Sequence, residues 1–248
     1  MNTNCPTCGQ EVPETENLCS SCGFQFATST SSNIGTSPKV QRPKSHVKLV
    51  LAFLVDRTGS SKQFSSGILS MMKGIVQELK AKINTIQTSI ITYGDEDEGQ
   101  MPILLTDNAT VDQALQDAEM IDFNGGGDPS ESHLCGLEYA LKTINWEPKS
   151  RMTCNVVVWF STADTKPTSS GRSPQDLGQE IDDKKILHYS ICEPQPFHYD
   201  ITSEGGGLIF PISNTPDSAD ISKITDQVAK SISSSVKDHK TKPMPPTP

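Results

Sequence analysis

Asp56, Thr58 and Ser60 stand at alternate positions in the run Asp56-Arg57-Thr58-Gly59-Ser60, directly after the apolar stretch Val47 to Val55. One carboxylate and two hydroxyls at this spacing form a set of hard oxygen donors. Such donors suit Mg²⁺ or Mn²⁺ better than a thiophilic metal. Their place in the chain also suits a site. An apolar run ending in a polar loop reads as a buried strand that reaches the carboxyl edge of a sheet, and in open α/β sheets ligands bind at that edge. The same residues have a plainer use, because Ser60 or Ser61 could cap a helix expected over 61–83.

A second donor set lies near the N-terminus. Cys5-x2-Cys8 and Cys19-x2-Cys22 are separated by ten residues, and each pair is followed by a glycine, Gly9 and Gly23. Four thiolates in this pattern can hold one Zn²⁺ tetrahedrally. The glycines allow the backbone to turn tightly after each pair. The knuckles Cys-Pro-Thr-Cys-Gly and Cys-Ser-Ser-Cys-Gly resemble those of a short zinc ribbon. A redox Cys-x-x-Cys would need a βαβ setting, which this segment lacks. With only Val12, Leu18, Phe24 and Phe26 as apolar candidates, the segment needs metal to fold. Residues 1–26 contain no Lys or Arg. A four-thiolate zinc site adds about -2 of charge, so the ribbon reads as a structural or docking module rather than a nucleic-acid binder.

The formal net charge is -9, and Glu11, Glu14 and Glu16 cancel Lys39, Arg42 and Lys44, so the whole excess falls on residues 47–248. An acidic body repels phosphate backbones and attracts cations, which counts against nucleic acid as a partner. Cysteine number is odd at seven, with Cys135, Cys154 and Cys192 scattered beyond the cluster. That usage fits a reducing compartment, and a cytoplasmic location is expected. The first residues show neither the basic nor the apolar region of a secretory signal. Val47 to Val55 is too short to span a bilayer, so no membrane partner is expected.

The elements that must position these donors follow from the hydrophobic pattern. Strands are predicted over 47–55, 86–93, 102–106 (an edge strand), 152–160, 185–192 and 207–211. Helices are predicted over 61–83, 110–119, 130–145, 174–184 and 217–235. Val- and Ile-rich strands alternating with helices predict a doubly wound, mostly parallel α/β sheet covered on both faces. Residues 27–46, rich in Ser and Thr, read as a flexible linker with an r.m.s. span of roughly 25 Å. The chain thus divides into a ribbon at 1–26, the linker at 27–46, a main domain at 47–236 and a disordered tail at 237–248.

The main domain resembles a von Willebrand factor A (vWA) domain of the intracellular or bacterial type, a Rossmann-like fold. Asp56-Arg57-Thr58-Gly59-Ser60 is similar to the Asp-x-Ser-x-Ser motif of the metal-ion-dependent adhesion site (MIDAS), with Thr58 for the first Ser. Asn124-Gly125-Gly126-Gly127-Asp128-Pro129-Ser130-Glu131 is similar to the family's Gly-Gly-Gly-Asp-x-Pro-Glu segment. Val156 to Asp164 occupies the place of a strand ending in Thr-Asp-Ala, but here Thr162 stands where the Asp should, and Asp164 follows two residues later.

The resemblance implies that Asp56, Thr58, Ser60 and Asp128 ligate Mg²⁺ or Mn²⁺, joined by Asp164 or, in its place, by Thr162. One coordination position stays open for an Asp or Glu of a partner protein. The implied function is that of a non-enzymatic adaptor, in prokaryotic settings such as stress response, toxic-ion resistance or conflict systems. Two rivals remain at this stage. One is nucleic-acid binding through the ribbon, and the other is a metal-assisted hydrolase with Asp128, Asp164 or the acidic loop Asp95 to Glu98 as base.

That acidic loop reads first as a solvated turn, and second as the rim of the metal face. Cys135, Cys154 and Cys192 read as small hydrophobes. His133, His188 and His198 offer no spacing that pairs a nucleophile with a base. Gly205-Gly206-Gly207 reads as a tight turn into the last strand.

Overall fold

The computed structural model describes residues 2–5, 10–13, 16, 19–21, 26, 44–126, 130–213 and 215–246. The chain forms two compact units, Met1–Gln41 and Arg42–Pro248. In the first, β1 (Asn2–Asn4) pairs antiparallel with β2 (Glu11–Pro13). Cys5, Val12 and Cys19 are buried together, with Phe26 packed against them. One cysteine from each predicted knuckle therefore enters the same cluster. Cys8 and Cys22 lie outside the described residues, as does most of the predicted linker.

The second unit is built on one six-stranded sheet. Its strands are β3 (Ser45–Asp56), β4 (Ile83–Tyr93), β5 (Ile103–Ala109), β7 (Thr153–Ser161), β9 (Ile186–Cys192) and β10 (Leu208–Pro211), in the order β10-β9-β7-β3-β4-β5. Every pairing is parallel except that of β5 with β4. β3 and β7 are the two central strands, and β3 has β4 on one side and β7 on the other. Its side chains split by the period of two. Leu49, Leu51, Phe53 and Val55 join the core on one face, and Val50, Ala52 and Leu54 join the core on the other. Fully buried Leu and Phe side chains of this kind each contribute about 1.5–3 kcal/mol.

Helices cover both faces. The first core takes in α1 (Ser65–Lys80), α2 (Val111–Ala118) and α6 (Ser218–Lys237). The second takes in α3 (His133–Thr143), α4 (Pro174–Asp183) and α5 (Pro196–Gly205). Ile68, Met71, Met72, Ile75 and Leu79 form the buried stripe of α1, as their spacing predicts. The two-residue strands β6 (Ser130–Glu131) and β8 (Asp164–Thr165) pair parallel outside the main sheet.

Three departures have physical reasons. Residues 60–64 form a 3-10 turn, and α1 begins only at Ser65. α5 has no counterpart in the sequence reading, because its ten residues carry only Phe197, His198, Ile201 and Gly205 as buried positions, too few for a visible stripe. Gly206, with φ of 69°, ends that helix in the left-handed conformation, so the glycine run is a helix C-terminus as well as the entry to β10. At the other end, α6 runs through Lys237, and residues 238–246 fold back where a disordered tail was expected. The Ser235 hydroxyl accepts the Met244 N–H at 2.9 Å, and Lys149 Nζ donates to the Lys240 carbonyl at 2.9 Å.

Candidate metal centre

β3 carries Asp56 to the carboxyl end of the sheet, where its pairing with Tyr93 closes the strand. Asp56 is fully buried and ionisable, so its oxygens must be satisfied locally. Oδ1 accepts the Thr58 N–H at 2.9 Å, and Oδ2 accepts the Thr162 hydroxyl at 2.9 Å. Thr162 has one proton and has given it to Asp56, so its oxygen accepts from Ser61 at 3.0 Å and from Ser60 at 3.2 Å. Ser60 in turn accepts from Thr58 at 2.7 Å. The donors run inward toward one carboxylate.

This arrangement decides between the two readings of Ser60 and Ser61. The cap position of the 3-10 turn is Gly59, that of α1 is Phe64, and neither makes a side-chain cap hydrogen bond. The two serine hydroxyls face Thr162 rather than a helix terminus. Ser60 is exposed while Thr58, Ser61 and Thr162 are buried, so the cluster opens to solvent on the Ser60 side. Ser61 belongs to the cluster although the motif spacing did not include it. From sequence alone, its position looks like that of any polar residue before a helix.

The glycine-rich segment meets the first loop directly. Gly59 donates its N–H to the Gly125 carbonyl at 2.7 Å, and a Cβ on Gly59 would approach that oxygen to 2.9 Å. Gly126 has φ of 77°, and its N–H donates to Gln100 Oε1 at 3.2 Å. A Cβ there would sit 3.3 Å from the Thr58 Cβ. These contacts need residues without side chains. The third loop is tied in by β6 and β8, and by the Lys166 N–H donating to the Glu131 carbonyl at 2.8 Å. Asp128 lies outside the described residues; Gly126, two positions before it, lies against Thr58. Asp164 is exposed, with Oδ1 accepting the Thr165 N–H at 2.8 Å. It is Thr162 that touches Asp56.

The acidic loop is only partly a solvated turn. Asp95 is buried, and its carboxylate takes the Lys166 ammonium at 2.6 and 2.7 Å and the Ser132 hydroxyl at 3.2 Å. Lys166 also reaches Asp97 at 2.9 Å. Gln100, at the end of this loop, holds Gly126, so the loop borders the site. Its burial was illegible in sequence, because the countercharge comes from a residue 71 positions away.

Beneath this end, on the α3–α4–α5 face, lie three buried histidines around Trp159. Trp159 ring centroids are 5.5 Å from His198, 6.0 Å from His188 and 6.4 Å from His133. The Tyr93 hydroxyl donates to the Phe160 carbonyl at 2.8 Å and accepts Trp159 Nε1–H at 2.7 Å. Burial lowers His188 to about 4. Burial, followed by the neighbouring His133 and His198–His188 repulsions, lowers His198 to about 3. His133 is likewise lowered by burial, against the pull of Asp56.

The fold does bring Ser161 to His198, with Oγ 2.8 Å from Nε2, a pairing that sequence spacing did not disclose. The Gln195 N–H donates to His198 Nδ1 at 3.1 Å, so the ring proton sits on Nε2 and points at the serine. That is the reverse of base activation. Burial raises Cys135 and Cys154 to about 11 and Cys192 to about 12, in keeping with small apolar roles.

Among the described residues, no three His, Cys, Asp or Glu side chains gather as a metal site. The donors here are Asp56 with the hydroxyls of Thr58, Ser60, Ser61 and Thr162. Each is an oxygen, and each hydroxyl can turn to present a lone pair, so the set fits a hard dication. No helix among the described residues is long and apolar enough to cross a membrane.

A central mostly parallel sheet with helices on both faces, and a carboxylate–hydroxyl cluster at the carboxyl end of its middle strand, defines a vWA-type, Rossmann-like fold. No family model matches the chain, and no curated protein matches it in sequence. Solved structures do. Proximal thread matrix protein 1 from the mussel byssus superimposes with a TM-score of 0.56 at 14% identity, over 75% of this chain and 46% of that one. A second structure of that protein, with a zinc-occupied MIDAS motif, gives a TM-score of 0.52 at 12% identity over 74% and 46%. The chain therefore matches less than half the length of these neighbours. At such identity the likeness establishes the fold.

Proposed function

We propose that this chain is a non-enzymatic protein-interaction module whose metal-bearing end binds an acidic side chain of a partner. In this reading Asp56, Thr58, Ser60, Thr162 and Asp128 hold Mg²⁺ or Mn²⁺, with Ser61 supporting Thr162. Asp164, exposed and engaged with its own loop, is left outside the ligand set. The ion supplies a Lewis-acidic position that a carboxylate can fill. The chain's own residues orient it. Asp56 fixes the charge, the glycines of the second loop admit close approach, and the Asp95–Lys166 pair stiffens the rim. One observation carries the proposal: Thr162, 106 positions from Asp56 in sequence, donates to its carboxylate beside two further hydroxyls. The zinc-occupied MIDAS of the mussel protein supports a divalent ion at this place in the fold.

The N-terminal unit is proposed as a zinc ribbon on Cys5, Cys8, Cys19 and Cys22. Burial of Cys5 and Cys19 in one cluster supports this. It would serve as a structural or docking module in a cytoplasmic adaptor.

The test is a pull-down in Mg²⁺ with wild type and Asp56→Ala, repeated with EDTA. Wild type is expected to retain partners in Mg²⁺ alone, with Asp56→Ala folded but empty. Identical partners in all three conditions would end the proposal. Metal analysis of protein purified without chelator is expected to find zinc, and Cys5→Ser should remove it without changing the unfolding of the main unit.

A further inference from the structure

The fold-back of residues 238–246 ends in a closed circuit of hydrogen bonds. Ser231 and Ser235, one turn apart on α6, are fully buried, and so is Tyr189 of β9. Buried hydroxyls are costly without partners. Met244 supplies two of those partners. Its N–H donates to Ser235 Oγ at 2.9 Å, and its carbonyl accepts from Ser231 Oγ. The Tyr189 hydroxyl bonds both serines and lies 3.2 Å from Ser231 Oγ. Proton count fixes each direction. The carbonyl can only accept, so Ser231 spends its one proton there. Tyr189 must then donate to Ser231, and Ser235 to Tyr189. The bonds run one way, from the Met244 N–H through three hydroxyls to the Met244 carbonyl.

Such a circuit reads backbone and no side chain. It receives a residue whose N–H and C=O point to the same side, as they do in an extended chain. The sequence around Met244 provides that residue. Pro245 biases the residue before it toward the extended conformation. Pro243, Pro245 and Pro246 lack an N–H, so Met244 carries the sole backbone donor of residues 243–246. The segment's further anchors are polar. Lys149 Nζ donates to the Lys240 carbonyl at 2.9 Å, and Lys242 Nζ lies 3.9 Å from Asp182. Residues 237–242 are exposed, and Met244 is half-buried. A segment with few buried apolar contacts opens locally at low cost.

We propose that Ser231, Ser235 and Tyr189 form a docking site for one extended, proline-flanked residue, and that the chain's own C-terminal segment is its releasable occupant. Because the site reads backbone, the same segment offered as a free peptide competes for it. This reading does not depend on the metal site.

The test titrates a synthetic peptide of residues 240–246 into the full chain by calorimetry. Met244→Pro in the full chain removes the N–H, frees the tail and leaves the site itself unchanged. That variant is expected to bind the peptide at least about tenfold more tightly than wild type, because a tethered occupant competes at an effective concentration of about 1 mM. The peptide carrying the same substitution should not bind. Tyr189→Phe keeps the aromatic packing and breaks the circuit. Trypsin should cut it after Lys240 about fivefold faster than wild type, the scale of one lost hydrogen bond read through the open population. No binding to Met244→Pro up to about 1 mM, equal binding to both chains, or equal binding of both peptides would overturn the proposal. Unchanged cleavage of Tyr189→Phe would do the same.

Discussion

The molecule buries polar groups in two neighbouring places and handles them in opposite ways. At the carboxyl end of β3 it buries a carboxylate and surrounds it with hydroxyls that rotate and can exchange a proton for a lone pair. Beneath, on the α3–α4–α5 face, it buries three histidines among Trp159, Tyr93 and Phe197, each ring wedged by aromatic neighbours. The first cluster can change partners without moving its backbone. The second is held by packing, and in His198 the Gln195 N–H also fixes the ring proton on Nε2. Burial of polar groups is therefore not one signal. Adaptable, solvent-adjoining donors fit the metal site proposed above, and packed, sealed ones fit a structural role.

Substitutions that should separate the two regions differ in size. Trp159→Ala would empty the centre of the histidine cluster, with an expected loss of about 3–5 kcal/mol in urea unfolding. If its cost is below about 1 kcal/mol, that cluster is not the rigid element described. Lys166→Met would leave Asp95 buried without its ammonium, and an expected loss of about 3 kcal/mol would show the rim to be fixed as well.

Acid sharpens the contrast. His188 and His198 titrate at about 4 and about 3 in the folded chain, against an ordinary value of 6.5. Both fold neutral, so on acidification the unfolded chain takes up protons first. Their contribution to stability is complete above about pH 6.5 and is lost as pH falls from there toward about pH 3. Urea midpoints measured across that interval should fall steadily, and a flat profile would place these rings in water.

Ser161→Ala would leave the His198 Nε2–H without its acceptor, at about 1–3 kcal/mol, with metal binding intact. Thr162→Val should do the converse. It removes the hub hydroxyl at a change near 1 kcal/mol in stability, yet weakens Mn²⁺ binding at least about tenfold. Equal effects of these two variants on stability and on metal would erase the distinction between the regions.

Much of this was legible beforehand in particular residues. The near-continuous apolar run Val47 to Val55 revealed a strand buried on both faces, and the stripe Ile68–Met71–Met72–Ile75–Leu79 revealed the helix after it. Local chemistry carried that information, since period and apolarity act over a few residues. α5 was missed because a short helix packed by a histidine and a glycine lacks such a stripe. The fold-back of residues 238–246 was missed because its partners, the Ser235 hydroxyl and Lys149 Nζ, look solvent-facing until the chain returns to them.

The sequence by itself determined the six strands of the main sheet, five of the six helices and the presence of oxygen donors at the end of β3, because these depend on neighbours along the chain. Only the tertiary structure decided that Ser61 serves the cluster instead of capping a helix, that Thr162 rather than Asp164 meets Asp56, and that Asp95 is buried against Lys166. Each of those outcomes depends on which loops the parallel sheet gathers at one edge, and the contacts join residues that are mostly far apart in the chain.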